Sequence, residues 1–118
     1  MSYRTAVGSG PKTVLNLATV NTGSTGLPNH DFGIMHTSIA LQVVLGGTVP
    51  ATGGVITVYG SLDGVNYDPT PLATWTVGTQ VSGNIVVATG KGFIYVNCQL
   101  ASLAGGTSPT VNAVVAAY

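Results

Sequence analysis

Charge is what this chain has least of. Of its 118 residues only Arg4, Lys12 and Lys91 are basic, only Asp31, Asp63 and Asp68 are acidic, and there is no glutamate. In an ordinary soluble domain about a quarter of the residues are charged, and that charge keeps copies apart in solution. Here 45% of residues are hydrophobic and the mean hydropathy is +0.46. A small protein with this balance either sits in a membrane or has much of its surface covered by other protein. Long apolar runs are missing too. A membrane-crossing helix needs about 18 or more consecutive apolar residues, and runs such as Ile85–Ala88 and Ala113–Tyr118 are only a few residues long. Without a basic patch, the electrostatic footprint of nucleic-acid binding is absent. Residues Met1–Gly8 contain no apolar leader core, so no secretory signal is expected. With Cys98 as its one cysteine the chain cannot form an internal disulfide, and that residue reads as a small buried hydrophobe.

What the chain does have is β vocabulary. Val, Thr, Ile and Tyr recur, 17 glycines and six prolines punctuate them, and no eleven-residue window shows a helical period. Apolar residues alternate at Ile39, Leu41, Val43 and Leu45, again at Ile56 and Val58, and again at Ile94, Val96, Cys98 and Leu100. The last stretch opposes this apolar face to Tyr95, Asn97 and Gln99. Val111, Ala113, Val115 and Ala117 make a face of smaller residues near the C-terminus. Weaker strands are expected at Thr13–Val20, Ala73–Val77 and Asn84–Thr89. Turns are expected at Gly46-Gly47, Gly53-Gly54, Asp63-Gly64, Gly90-Lys91-Gly92 and Gly105-Gly106. The pattern predicts one β-sandwich of seven to eight short antiparallel strands over residues 13–118, with jelly-roll-like or immunoglobulin-like connections. Residues 1–12 read as an N-terminal arm, and 21–35 as a long loop without periodicity.

Few residues suggest chemistry. His30, Asp31 and His36 could ligate a metal or pair as base and orienter, but loop hydrogen bonding or contact with a partner explains them more simply. Asp63, Asn66 and Asp68 could offer oxygens to Ca²⁺, though two carboxylates and one amide make a poor set. Ser61, Asp63, Gly64, Asn66 and Tyr67 read as a turn in which the Asp63 side chain caps the backbone, Gly64 is left-handed and Tyr67 packs beyond. Tyr59, Tyr67, Trp75, Phe93 and Tyr95 could form an aromatic face for sugars, or be core and interface residues. No nucleophile elbow, phosphate loop or zinc-protease motif occurs, so neither an enzymatic activity nor a cofactor is expected.

The stretch Ile56-Thr57-Val58-Tyr59-Gly60-Ser61-Leu62-Asp63-Gly64-Val65-Asn66-Tyr67, followed by Pro71-Leu72-Ala73, resembles a segment of small structural proteins of tailed bacteriophages. Phe93-Ile94-Tyr95-Val96 and the terminal Val111–Tyr118 strand are similar to later parts of the same pattern. The resemblance implies a β-sandwich of the capsid decoration (cement), head-fibre or tail type, with no catalytic residues. A decoration protein made in the host cytoplasm and bound to the outside of the capsid is the expectation. Its partners would be its own copies, as a trimer, and the major capsid protein. Tyr3, Arg4 and Lys12 in the arm, and Leu27, His30, Phe32 and Met35 in the loop, are the expected partner contacts, since those segments have the least claim on the domain's own core. A tail or head-fibre component, or a carbohydrate-binding module using Trp75, are the alternatives.

Overall fold

Alternation of β-branched and polar residues leaves this chain little choice but strands. The computed structural model describes residues 9–23 and 27–118, and contains no helix there. Tyr3, Arg4 and most of the expected arm lie outside the described residues. Six strands follow in order: β1 (Ser9–Ala18), β2 (His30–Val49), β3 (Gly53–Ser61), β4 (Ala73–Thr76), β5 (Ile85–Ala104) and β6 (Thr107–Ala117). The chain is therefore all-β. Four of the expectations are corrected. Among the described residues there are six strands, where about seven to eight were expected, and they join in one antiparallel sheet of order β1-β6-β2-β5-β3-β4, where the two sheets of a sandwich were expected. Residues 9–12 belong to β1 rather than to an arm, and the expected loop 21–35 gives its last six residues to β2.

The strand count falls because β2 and β5 are each 20 residues long. Turn-forming residues that should have ended strands are absorbed as bulges. Between the pairs Asp31↔Tyr95 and His36↔Phe93, β2 advances five residues while β5 advances two. Between His36↔Phe93 and Ser38↔Thr89, β2 advances two and β5 four. Extra residues on one strand bend it and re-aim its side chains. Accordingly the buried positions of β2 switch from Phe32 and His36 to Ile39, Leu41 and Val43. On β5 the excess falls at Gly90-Lys91-Gly92, where Gly90 has φ of +113°, a conformation a side chain resists.

These two bends fold the sheet over itself. Neighbouring strands lie roughly 4.8 Å apart, so β1 and β5, three places apart in the order, would be well over 10 Å apart if the sheet were flat. They approach within 8 Å, as do β2 and β4. One leaf comprises β1, β6, the second half of β2 and the first half of β5. The other comprises the first half of β2, the second half of β5, β3 and β4. Between them lies a single core, in which Trp75, Phe93, Ile39, Leu41, Ile56 and Leu100 are fully buried. Trp75 satisfies its indole N–H by donating to the Asn84 carbonyl at 3.0 Å, which joins β4 to the residues leading into β5. Across the leaves, the Lys12 ammonium of β1 sits 5.9 Å from the centre of the Phe32 ring, within cation–π range.

Candidate assembly face and cleft

The two leaves present different outer surfaces. In the first leaf the outward positions of β2 are Ala40, Gln42 and Val44; cross-strand pairing sets Ala116, Val114 and Asn112 of β6 on one side of them. On the other side Val87 pairs with Ala40 and Ile85 with Gln42. Thr13 of β1 extends the row beside Val114. Ile85, Val87 and Val44 are 60%, 56% and 45% exposed. Pro11, Ala40, Gln42, Ile85, Val114 and Ala116 line a shallow depression in this face. None of these positions is charged. An antiparallel sheet with one wet face normally alternates apolar-in with polar-out, and here the outer row is largely apolar too. The edge of β5 beside it, Ile85–Thr89, is paired with β2 on one side, and no described strand pairs with its other side.

The second leaf is polar and aromatic outside. Tyr59 of β3 pairs directly with Asn97 of β5, and Thr57 with Gln99. Over this floor hangs the turn after β3. Asp63 organises it: one carboxylate oxygen accepts the Val65 and Asn66 amides, each at 2.8 Å, and the other accepts the Asn66 side-chain amide. The Ser61 hydroxyl donates to Asp63 and accepts the Gly64 amide at 2.9 Å. This donor set, the Asn66 and Val65 amides foremost, holds the Asp63 carboxyl far below the usual carboxylate range. Gly64 has φ of +76°, a conformation that strains any side chain, and a Cβ there would press on the Tyr95 ring at 3.3 Å. The turn delivers Tyr67, Asp68 and Pro69 to the rim of a cleft whose other lining residues are Leu27, Tyr59, Asn97 and Gln99. Asn29 staples the rim, its amide donating to the Gly64 carbonyl at 2.8 Å and its side-chain oxygen accepting the Tyr67 hydroxyl. Burial, reinforced by Asp63 and Tyr95, pushes the Tyr67 hydroxyl above the usual phenol range. Lys91 donates to Asp68 at 2.6 Å, and this contact, with the Thr70 amide, holds that carboxyl below its ordinary value.

Each residue singled out from the sequence now has a place. Phe32 is buried, edge-to-face with His36 and Phe93 at 5.9 and 6.1 Å between ring centres; the expectation that it contacts a partner is corrected, because its ring is spent on the chain's own core. Trp75 and Phe93 are likewise core residues, which removes them from any aromatic sugar-binding face. Lys12 and Leu27 are half-buried and Met35 is 58% exposed, its sulfur lying across Gly92. His30 is half-buried, its Nε2 finds no hydrogen-bond partner among the described residues, and burial, then Lys12, lowers its pKa. Asp31 accepts the Gly33 amide at 2.7 Å. Among the described residues no three His, Cys, Asp or Glu side chains gather as a metal site would require. The Ca²⁺ reading of Asp63, Asn66 and Asp68 gains no support, since the Asp63 oxygens are engaged by the turn and those of Asp68 by the Thr70 amide and Lys91. Asn97 and Gln99 were legible only as the polar side of a strand, because the walls that make a cleft of them come from residues about 30 and 70 positions earlier in the chain.

No family model and no curated protein matches this chain. Among solved structures, the crystal structure of the SPBc2 prophage-derived protein YomS is similar in fold, with a TM-score of 0.56 over 91% of this chain and 91% of that one. Sequence identity between the two is 13%, so the likeness is one of fold.

Proposed function

We propose that this chain is a non-enzymatic structural protein of a phage particle, of the capsid decoration type: it binds the outer surface of the head and stabilises it. The observation that carries this reading is the charge-free apolar outer face of the first leaf. Each Val or Ile side chain fully withdrawn from water contributes about 1.5–3 kcal/mol. A face of this kind, with no charge to desolvate, suits a permanent interface more than a wet one. Its occupants in this reading are copies of the same chain, as a homotrimer, and β1 and the residues before it reach the major capsid protein. Support for a phage setting comes from the turn segment Ile56–Tyr67 and from the fold shared with a prophage-derived protein. Stabilisation follows from mass action: a protein that binds only the closed shell raises the free energy of opening it, and several contacts per trimer raise the effective concentration of each. A tail or head-fibre component would use the same face at another place in the particle.

The test is co-sedimentation with heads assembled from the cognate major capsid protein. The wild-type chain is expected to pellet with heads and raise their melting temperature. A chain lacking residues 1–8, which leaves β1 (Ser9–Ala18) whole, is expected to stay folded and to remain in the supernatant. Equal occupancy by the truncated chain would remove the assigned role of the arm, and failure of the wild type to bind heads would remove the decoration reading.

A further inference from the structure

The geometry points to the cleft of the second leaf as a binding site for a neutral saccharide, facing away from the assembly face. This site is distinct from the interface proposed above and does not depend on it. Asn97 is the central observation. It is only 9% exposed, it lines the cleft, and its Oδ1 is buried with no hydrogen bond from any described residue. Buried acceptors are nearly always satisfied, and leaving one unmade costs about 1–3 kcal/mol. A strand position that keeps such a group, where valine would pack at no such cost, fits a site whose missing donor belongs to a ligand.

The surroundings define that ligand's class. Tyr59, directly across the strand pair from Asn97, and Tyr67 on the rim supply half-buried aromatic rings. Aromatic rings accept the C–H face of a pyranose, while Gln99 and Asn97 supply amides that pair with hydroxyl or acetamido groups. A few placed polar groups among apolar ones is the usual make-up of a small-ligand site. The one charge in the lining, Asp68, is already neutralised by Lys91 at 2.6 Å, so the cleft offers nothing to favour an ionic ligand. The rim is held in place by the Asn29 bonds to Gly64 and Tyr67, which lowers the ordering cost of binding.

The experiment is a microarray of neutral hexose and N-acetylhexosamine oligosaccharides, with acidic glycans alongside, probed with the wild-type chain and the variants Asn97→Val and Gln99→Ala. The wild type is expected to bind at least one neutral class, and each variant to lose tenfold or more. Asn97→Val is at the same time expected to keep or raise the melting temperature, because it deletes an unpaired acceptor; a purely structural asparagine would lower it. Binding of no neutral glycan, binding confined to acidic ones, or variants that bind as the wild type does would each overturn the assignment.

Discussion

At the scale of single residues, the chain shows how burial sets chemistry. Cys98 is 3% exposed, and burial pushes its thiol up to about 12, so it is inert where a surface thiol near 9 would be reactive. The folded state keeps this proton to higher pH than the unfolded state does. Stability is therefore fully present below about pH 9 and falls as pH rises above it, by about 1.4 kcal/mol per unit. The native protein is expected to resist alkylation of Cys98 by iodoacetamide at pH 8 and to react fully in urea. Rapid labelling of the folded chain would show that the strand around Cys98 opens freely. Residue-level legibility was limited for a clear reason. In Ala73-Thr74-Trp75-Thr76 the threonines take the outer side and Trp75 the inner, but a strand of four residues is too short a run of alternation to have kept Trp75 out of a sugar-binding reading. Phe32 could not be read from alternation either, because it stands among turn formers and only the bulge that follows it turns its ring inward.

At the scale of elements, the lesson lies in the two long strands. Gly90-Lys91-Gly92 looks like a hairpin turn, yet β5 runs through it. Local preference for a turn and the global need to pass from one leaf to the other are both met by a bulge. Interior alternation was legible at β3, β6 and the second half of β2, where one face packs on the core without interruption. The bends were not, since they depend on which strands pair, and pairing is a long-range property. The two glycines of the bulge are expected to behave differently. Gly90→Ala forces a side chain into φ of +113° and should cost about 1–3 kcal/mol. Gly92→Ala meets only the movable Met35 sulfur, at 2.8 Å, and should cost under about 1 kcal/mol. Urea midpoints of the two variants check this; equal losses would mean that β5 does not turn its corner at Gly90.

At the scale of the whole molecule, scarcity of charge and the folded sheet give one account. Among the described residues the charges sit away from the first leaf's outer face: Lys12 lies over Phe32 between the leaves, Lys91 and Asp68 pair beside the cleft, Asp63 is consumed by its turn, and Asp31 caps the Gly33 amide in the second leaf. What remains is a neutral apolar surface beside an unpaired strand edge, a combination that a solitary protein normally blunts with lysine or proline. Composition raised the expectation that some surface is covered; it could not say which, because outward rows on four strands come together only when the sheet is ordered β1-β6-β2-β5. The most direct measurement is the solution mass by light scattering over a wide concentration range, for the wild type and for Val87→Lys. The account predicts a stable wild-type mass near three times the 11.8 kDa chain, and a folded monomer once a charge stands on that face. A wild-type chain that stays monomeric at every concentration, or a Val87→Lys variant that assembles unchanged, would contradict it.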